Sequence, residues 1–250
     1  MIQIKNAEQI KAMRLAGRIT GEALLVVREA LKDGVTTKHI DDLIRKYIEK
    51  CGATPSFLGY GGFTGSACIS INDEVIHGIP SEKRYIREGD IVKIDVGACI
   101  HGVHGDSANT FAVGSVSAEA TALAKATKES FFEAIKCAKP GFRIGDIGHA
   151  VEAYVTERGY SVVREFVGHG IGKDLHEDPS VPNYGTPGRG ARLFPGMAIA
   201  IEPMVNAGSS KIRQLADGWT VKTADGALSA HYEHTVLITE EEPELLTYVG

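Results

Sequence analysis

The 250-residue sequence predicts one α+β domain over residues 1–250, with pseudo-twofold symmetry and helices covering one face of a mainly antiparallel sheet. Three observations predict it. The chain repeats itself at one fixed offset, each copy reads helix, helix, strand, and no linker or low-complexity segment divides it.

The repeat is visible in "DGVTTKHIDDLIRKYIEKCG" (33–52) and "PGFRIGDIGHAVEAYVTERG" (140–159). Gly34 matches Gly141, Ile40 matches Ile147, Tyr47 matches Tyr154 and Gly52 matches Gly159, each pair 107 positions apart. The same offset links Glu22 to Glu129, Gly89 to Gly196 and Asp95 to Glu202. One offset across three segments fits two copies of one supersecondary unit better than chance.

Within each copy, "EALLVVREALKDG" and "ESFFEAIKCAKPG" have helical apolar spacing and stop at glycine. A second helix follows, over about 38–50 and 145–158, ending at Gly52 and Gly159, where a left-handed residue closes the last turn. "DIVKIDV" and "MAIAIEP" are short, apolar and strand-like, and "SVVREFV" and "YEHTVLIT" read as further strands.

Composition narrows the function classes. Apolar content of 43% and charged content of 24% are those of a globular protein with a full core. A formal net charge of -5 argues against nucleic acid as the main partner. No apolar run approaches the about 18 residues of a membrane span, and the start lacks the pattern of a signal peptide. Cys51, Cys68, Cys99 and Cys137 form no C-x-x-C pair and read as reduced thiols of a cytoplasmic protein.

The chemistry gathers on a few acids and histidines. Asp95 and Glu202 are equivalent acids at the ends of apolar strands, where a lone buried charge is costly. Asp106 follows the turn-rich "CIHGVHGD", and a hairpin there returns it beside Asp95. Glu233 sits in the strand-like "HYEHTVLIT", and "VGHGIGKDLHEDPS" (167–180) places His169 between two glycines, seven residues before His176. Taken singly, each of these is a surface acid or an ordinary core histidine. Together, four carboxylates and one imidazole suit Mn²⁺, Fe²⁺, Co²⁺ or Zn²⁺, and two bridged ions balance the charge better than one. The glycines beside His169 are read as clearing space and permitting unusual backbone angles. "GHGIGK" matches no phosphate-loop pattern, and Pro179 and Pro182 oppose a following helix.

The motifs "SINDEVIHGIP", "IDVGACIHGVHGDSANTF", "GHGIG…LHEDPSV", "PGMAIAIEPMVN" and "DGWTVKTADGALSAHYEHTVLIT" together resemble the methionine aminopeptidases, in order and over essentially the whole chain. The resemblance implies the "pita-bread" fold. The 33 residues from His169 to Glu202 match the short type I form. It further implies that Asp95 chelates one of two divalent ions, Asp106 and Glu233 bridge both, and His169 and Glu202 complete the second site. A water activated there attacks the scissile carbonyl, and Glu202 shuttles a proton. His77 contacts the scissile nitrogen or the leaving part of the substrate, and His176 binds the carbonyl oxygen as it gains charge.

By motif position the methionine pocket is lined by Phe57, Tyr60, Phe63, Cys68, Leu175 and Trp219. Phe57 stands where relatives often have Cys, and Leu175 where they often have Phe. Asn72 and Ser229 match positions that some members use for a monovalent cation. The implied substrates are peptides and nascent proteins with an N-terminal methionine and a small second residue. A monomer is expected, with no membrane and no specific nucleic acid as partner and contact with the ribosome left open. His39, His101, His104, His149, His231 and His234 are expected to be structural or exposed. The rivals are a prolidase or proline aminopeptidase of the same fold, and a non-catalytic binding module.

Overall fold

A computed structural model describes residues 1–249. Helices α1 (Ala7–Ala30) and α2 (Thr37–Lys50) precede strands β1 (Thr54–Pro55), β2 (Ala67–Ile71), β3 (Glu74–Ile76), β4 (Ile91–Ile100) and β5 (Val103–Ala112). Helices α3 (Ala118–Ala134) and α4 (Ile144–Thr156) then lead to β6 (Ser161–Val162), β7 (Gly168–Gly170), β8 (Glu177–Val181), β9 (Ala198–Ile201) and β10 (Met204–Asn206). The chain closes with β11 (Ile212–Gln214), β12 (Val221–Thr223), β13 (Ser229–His231), β14 (His234–Leu237) and β15 (Glu244–Leu245).

Local signals account for these boundaries. Asn6, Thr36 and Ser117 each accept a backbone N–H at the start of α1, α2 and α3, satisfying donors that a helix leaves open. Gly52 and Gly159, with φ of 74° and 81°, lie just past the second helix of each half. β4 and β5 are joined by the two-residue turn His101–Gly102, both at positive φ, the geometry that matches the twist of a tight hairpin.

Among the described residues all strand pairing is antiparallel, where the sequence predicts a mainly antiparallel sheet, and it is divided among four small hydrogen-bonded sheets rather than one. β1, β4, β2 and β5 form one, and β15-β14-β9-β7-β8 another. The reading of "SVVREFV" as a full strand is corrected: only Ser161 and Val162 pair, against Val205 and Asn206.

Alternation along the central strands separates core from site. Val92, Ile94 and Val96 of β4 pack with Ile19, Ile40, Ile44 and Ile48 of α1 and α2. Their odd-numbered neighbours, Lys93 and Asp95, take the other face. On β9, Ile199 and Ile201 pack with Leu123, Phe131, Ile147 and Val151 of α3 and α4, while Ala198 joins the cluster around Phe57 and Phe63. Each half also carries the same tyrosine–glutamate bond between its helices: Tyr47 donates to Glu22 at 2.6 Å and Tyr154 to Glu129 at 2.8 Å.

Candidate metal centre and active site

The acids arrive from four strands or their ends. Asp95 lies in the middle of β4, not at its end as expected from the sequence, because β4 runs on to Ile100. Across the hairpin Asp106 pairs with Gly97, which places it diagonally from Asp95 on the same face. Gly97 is needed there, since a Cβ would stand 2.8 Å from the Phe57 ring. Glu202 immediately follows β9. Glu233 lies between β13 and β14 rather than inside a strand. Its backbone nevertheless exchanges hydrogen bonds with Ala108 (N to O 2.9 Å one way, 3.3 Å the other), and Ser107 Oγ donates to its carbonyl at 2.6 Å. Asp106 is fixed from the same side: its N–H donates to Thr235 Oγ1, which in turn donates to the Asp106 carbonyl, both at 2.9 Å.

His169 sits in β7, so the loop expected from its glycines is a short strand sandwiched between β8 and β9. Neither Gly168 nor Gly170 is at positive φ. Their role is close backbone approach: a Cβ on Gly168 would meet Ala200 O at 2.3 Å, and one on Gly170 would meet Asp178 O at 2.1 Å. His169 Nδ1 lies 2.8 Å from the Gly170 carbonyl, which only accepts, so Nδ1 carries the proton. Nε2 is left with its lone pair, 3.6 Å from Glu202 and 3.8 Å from Asp106.

The electrostatics are those of a cation site. Asp106 and Glu233 are buried, and Asp95 Oδ1, Asp106 Oδ1 and Glu233 Oε1 are buried with no hydrogen-bond partner. Burial and then mutual repulsion push the Asp106, Glu233 and Glu202 carboxyls well above the usual range, and burial raises Asp95 to about 7. Burial also pushes His169 down to about 4, so its imidazole is neutral near pH 7. Asp106, His169 and Glu233 offer atoms within 4.8 Å of one another. Oxygen and imidazole donors with unused lone pairs fit divalent transition metals, and a bound cation would supply the missing charge.

A cavity of about 210 Å³ rises from this cluster. Its lining contains Phe57, Tyr60, Phe63, Cys68, Leu175 and Trp219 together with His77, His176 and the five proposed ligands, so the structure brings these thirteen together. Phe63 and Trp219 stack edge-to-face at 5.1 Å. His176 is exposed at the mouth, its ring 4.2 Å from that of His169 and its Nδ1 2.7 Å from the Tyr60 hydroxyl. His77 has φ 59°, rare for a residue with a side chain, and its ring stands edge-on to Phe166 and Trp219. Burial lowers its pKa to about 4.

Asn72 and Ser229, matched in the sequence to a monovalent-cation position, lie outside this cavity's lining, and the Asn72 carbonyl accepts Lys93 Nζ at 2.7 Å. One expectation changes. His231, read as structural or exposed, is buried beside the ligands, 3.9 Å from both Glu202 and Glu233, with neither ring nitrogen hydrogen-bonded. Its position two residues before Glu233 was the available signal, since alternate residues of an extended segment share a face. His234 points away, as expected, and is bonded to Tyr232 and Thr247.

The profile described as metallopeptidase family M24 matches residues 11–240. The chain is 54% identical to a methionine aminopeptidase of Clostridium acetobutylicum over 99% of both chains. It superposes on the crystal structure of a methionine aminopeptidase from Thermotoga maritima with a TM-score of 0.98, at 44% identity and full coverage of both. A prolidase from Pyrococcus furiosus matches less well, with a TM-score of 0.80 at 26% identity, and this chain covers 66% of it. With the profile spanning nearly the whole chain and more than half of its positions identical to one relative, the chain belongs to metallopeptidase family M24, among the methionine aminopeptidases of the short bacterial type.

Proposed function

We propose that this chain removes N-terminal methionine from peptides and nascent proteins with a small second residue, as a hydrolase that would use two divalent ions. The observation that carries this reading is the cluster of unpartnered buried carboxylates at the base of an aromatic-walled cavity. Asp95, Asp106, His169, Glu202 and Glu233 would hold the ions, with Asp106, His169 and Glu233 offering atoms within 4.8 Å of one another. Bound there, Mn²⁺, Fe²⁺, Co²⁺ or Zn²⁺ would lower the pKa of water and draw charge from the scissile carbonyl.

The chain's own groups do the rest. Phe57, Phe63, Leu175 and Trp219 pack on the methionine side chain, whose thioether favours aromatic contacts. The Tyr60 hydroxyl lies 2.7 Å from His176 Nδ1; with Tyr60 as the donor, Nε2 would carry the proton that meets the carbonyl oxygen as it becomes an oxyanion. His77, neutral near pH 7, hydrogen-bonds the scissile nitrogen. Glu202, 3.6 Å from His169 Nε2, would shuttle a proton from water to the leaving amine once a bound cation keeps its carboxyl ionised. The repeated tyrosine–glutamate bonds support reading residues 1–250 as one catalytic domain built from two copies of a unit. Four free cysteines suit the cytoplasm, and among the described residues no helix is long and apolar enough to cross a membrane.

The test is an aminopeptidase assay on metal-free protein after anaerobic addition of each ion, with Met-Ala, Met-Lys, Met-Trp and Gly-Pro peptides. Met-Ala cleavage that returns with metal is expected, and equal rates on all four peptides would sink the reading. In the same assay His169→Ala should lose metal. His176→Ala should keep its metal while kcat falls roughly 10²–10³-fold, the scale for one oxyanion donor.

A further inference from the structure

A fully buried lysine stands next to the metal centre, and the mechanism above does not use it. Lys93 is 1% exposed. It precedes Asp95 by two residues on β4, so the two side chains share a face, flanked in register by Ser70 and Thr110. Thr110 is itself bonded in both directions to the backbone of His231.

The Lys93 ammonium donates to the Asn72 carbonyl at 2.7 Å, and the same oxygen accepts the Ser229 amide at 3.1 Å. Asn72 is held at φ 52° in the turn between β2 and β3, its side chain bonded to Asp90 and to the Ile91 amide. That turn leads, through β3, to His77. Ser229 opens β13, two residues before His231. One oxygen therefore joins β4, the approach to His77 and the strand that carries His231. A buried ammonium is costly unless paired. Burial lowers Lys93 to about 7 even with the Glu74 and Asp73 carboxylates favouring its charged form.

An exchangeable monovalent cation does not fit here. Lys93 Nζ already occupies the Asn72 carbonyl at 2.7 Å, and the Ser229 hydroxyl lies 2.9 Å from Asn206 Oδ1 and 3.3 Å from the Val205 carbonyl. We propose that Lys93 is a built-in cation. Its ammonium stands where a free Na⁺ or K⁺ would otherwise sit, and it positions the His77 turn and β13 against the metal centre. The positioning role rests on the aminopeptidase reading. The cation role does not, and thermal stability reads it without any turnover.

The experiment compares the metal-loaded wild type with Lys93→Ser and Lys93→Met in potassium, sodium, methylammonium and choline chloride at equal ionic strength. Melting temperature, KM and kcat are measured on a Met-Ala peptide. The wild type should be indifferent to the salt. Lys93→Ser, which leaves the carbonyl and opens space, should melt lower and lose kcat/KM about tenfold, the scale for groups that orient metal ligands. Potassium, sodium or methylammonium should restore both in a saturable way, and choline, too large to enter, should not. Lys93→Met fills the space without charge and should not be rescued. A wild-type melting temperature that rises saturably with potassium overturns the proposal, even if neither variant folds. A folded Lys93→Ser that no cation rescues also overturns it.

Discussion

Glu177 and Glu233 are both buried carboxylates, and the chain treats them in opposite ways. The Glu177 side chain, 3% exposed, accepts the Lys173 and Asp174 amides at 2.8 and 3.3 Å and is paired with the Lys5 ammonium. The Glu233 side chain is equally hidden, yet Oε1 has no donor, and its nearest charges are carboxylates. The first is scaffold: it ties the 172–177 segment that carries Leu175 and His176 to Lys5, just before α1. The second is charge held in reserve for a cation. Burial alone does not separate these roles; the completeness of the hydrogen bonding does.

The comparison breaks most sharply at Asp106. Asp106→Asn keeps the size and removes one charge, so at least one divalent ion and nearly all activity should be lost. Elemental analysis beside kcat checks this. The metal-free variant should at the same time melt above the metal-free wild type, because one repelling carboxylate is gone. Wild-type metal content with wild-type turnover would show that Asp106 belongs with Glu177 instead.

At the scaffold site the sign reverses. Lys5→Met leaves Glu177 buried without its cation and should cost roughly 3–5 kcal/mol in urea unfolding. Metal content should stay near wild type while kcat falls, since the His176 segment loses its anchor. Adding Glu177→Gln, which keeps an oxygen for the Lys173 and Asp174 amides, should recover part of the stability.

The smallest effect sharpens the contrast by pH. Carboxyls whose folded pKa is raised bind more protons folded than unfolded, so their stability is lost as pH rises through the folded value. For Asp95 that value is about 7, and for Asp106, Glu202 and Glu233 it lies well above the usual carboxylate range. The buried histidines act the other way, but only below their unfolded value of 6.5. Metal-free protein should therefore melt lower at about pH 9 than at about pH 7, and the metal-loaded protein should show a smaller drop. Equal slopes would mean that the cluster is paired in some other way.

The sequence by itself determined the elements and the cast of residues. The 107-residue offset, the helix-stopping glycines at 52 and 159 and the apolar strands around Asp95 and Glu202 are local signals, set by backbone sterics and side-chain period. The resemblance named thirteen residues that one cavity then gathers. Only the tertiary structure decided which buried polar groups have partners. Lys5 meets Glu177 across 172 positions, Thr235 grips Asp106 across 129, and Lys93 reaches Asn72 across a neighbouring strand. His231 reads from the sequence as structural or exposed, and only the fold brings Glu202 beside it. Periodicity is written within a few residues, but a buried charge is satisfied or left open by whatever distant segment packs against it, and no local pattern encodes that.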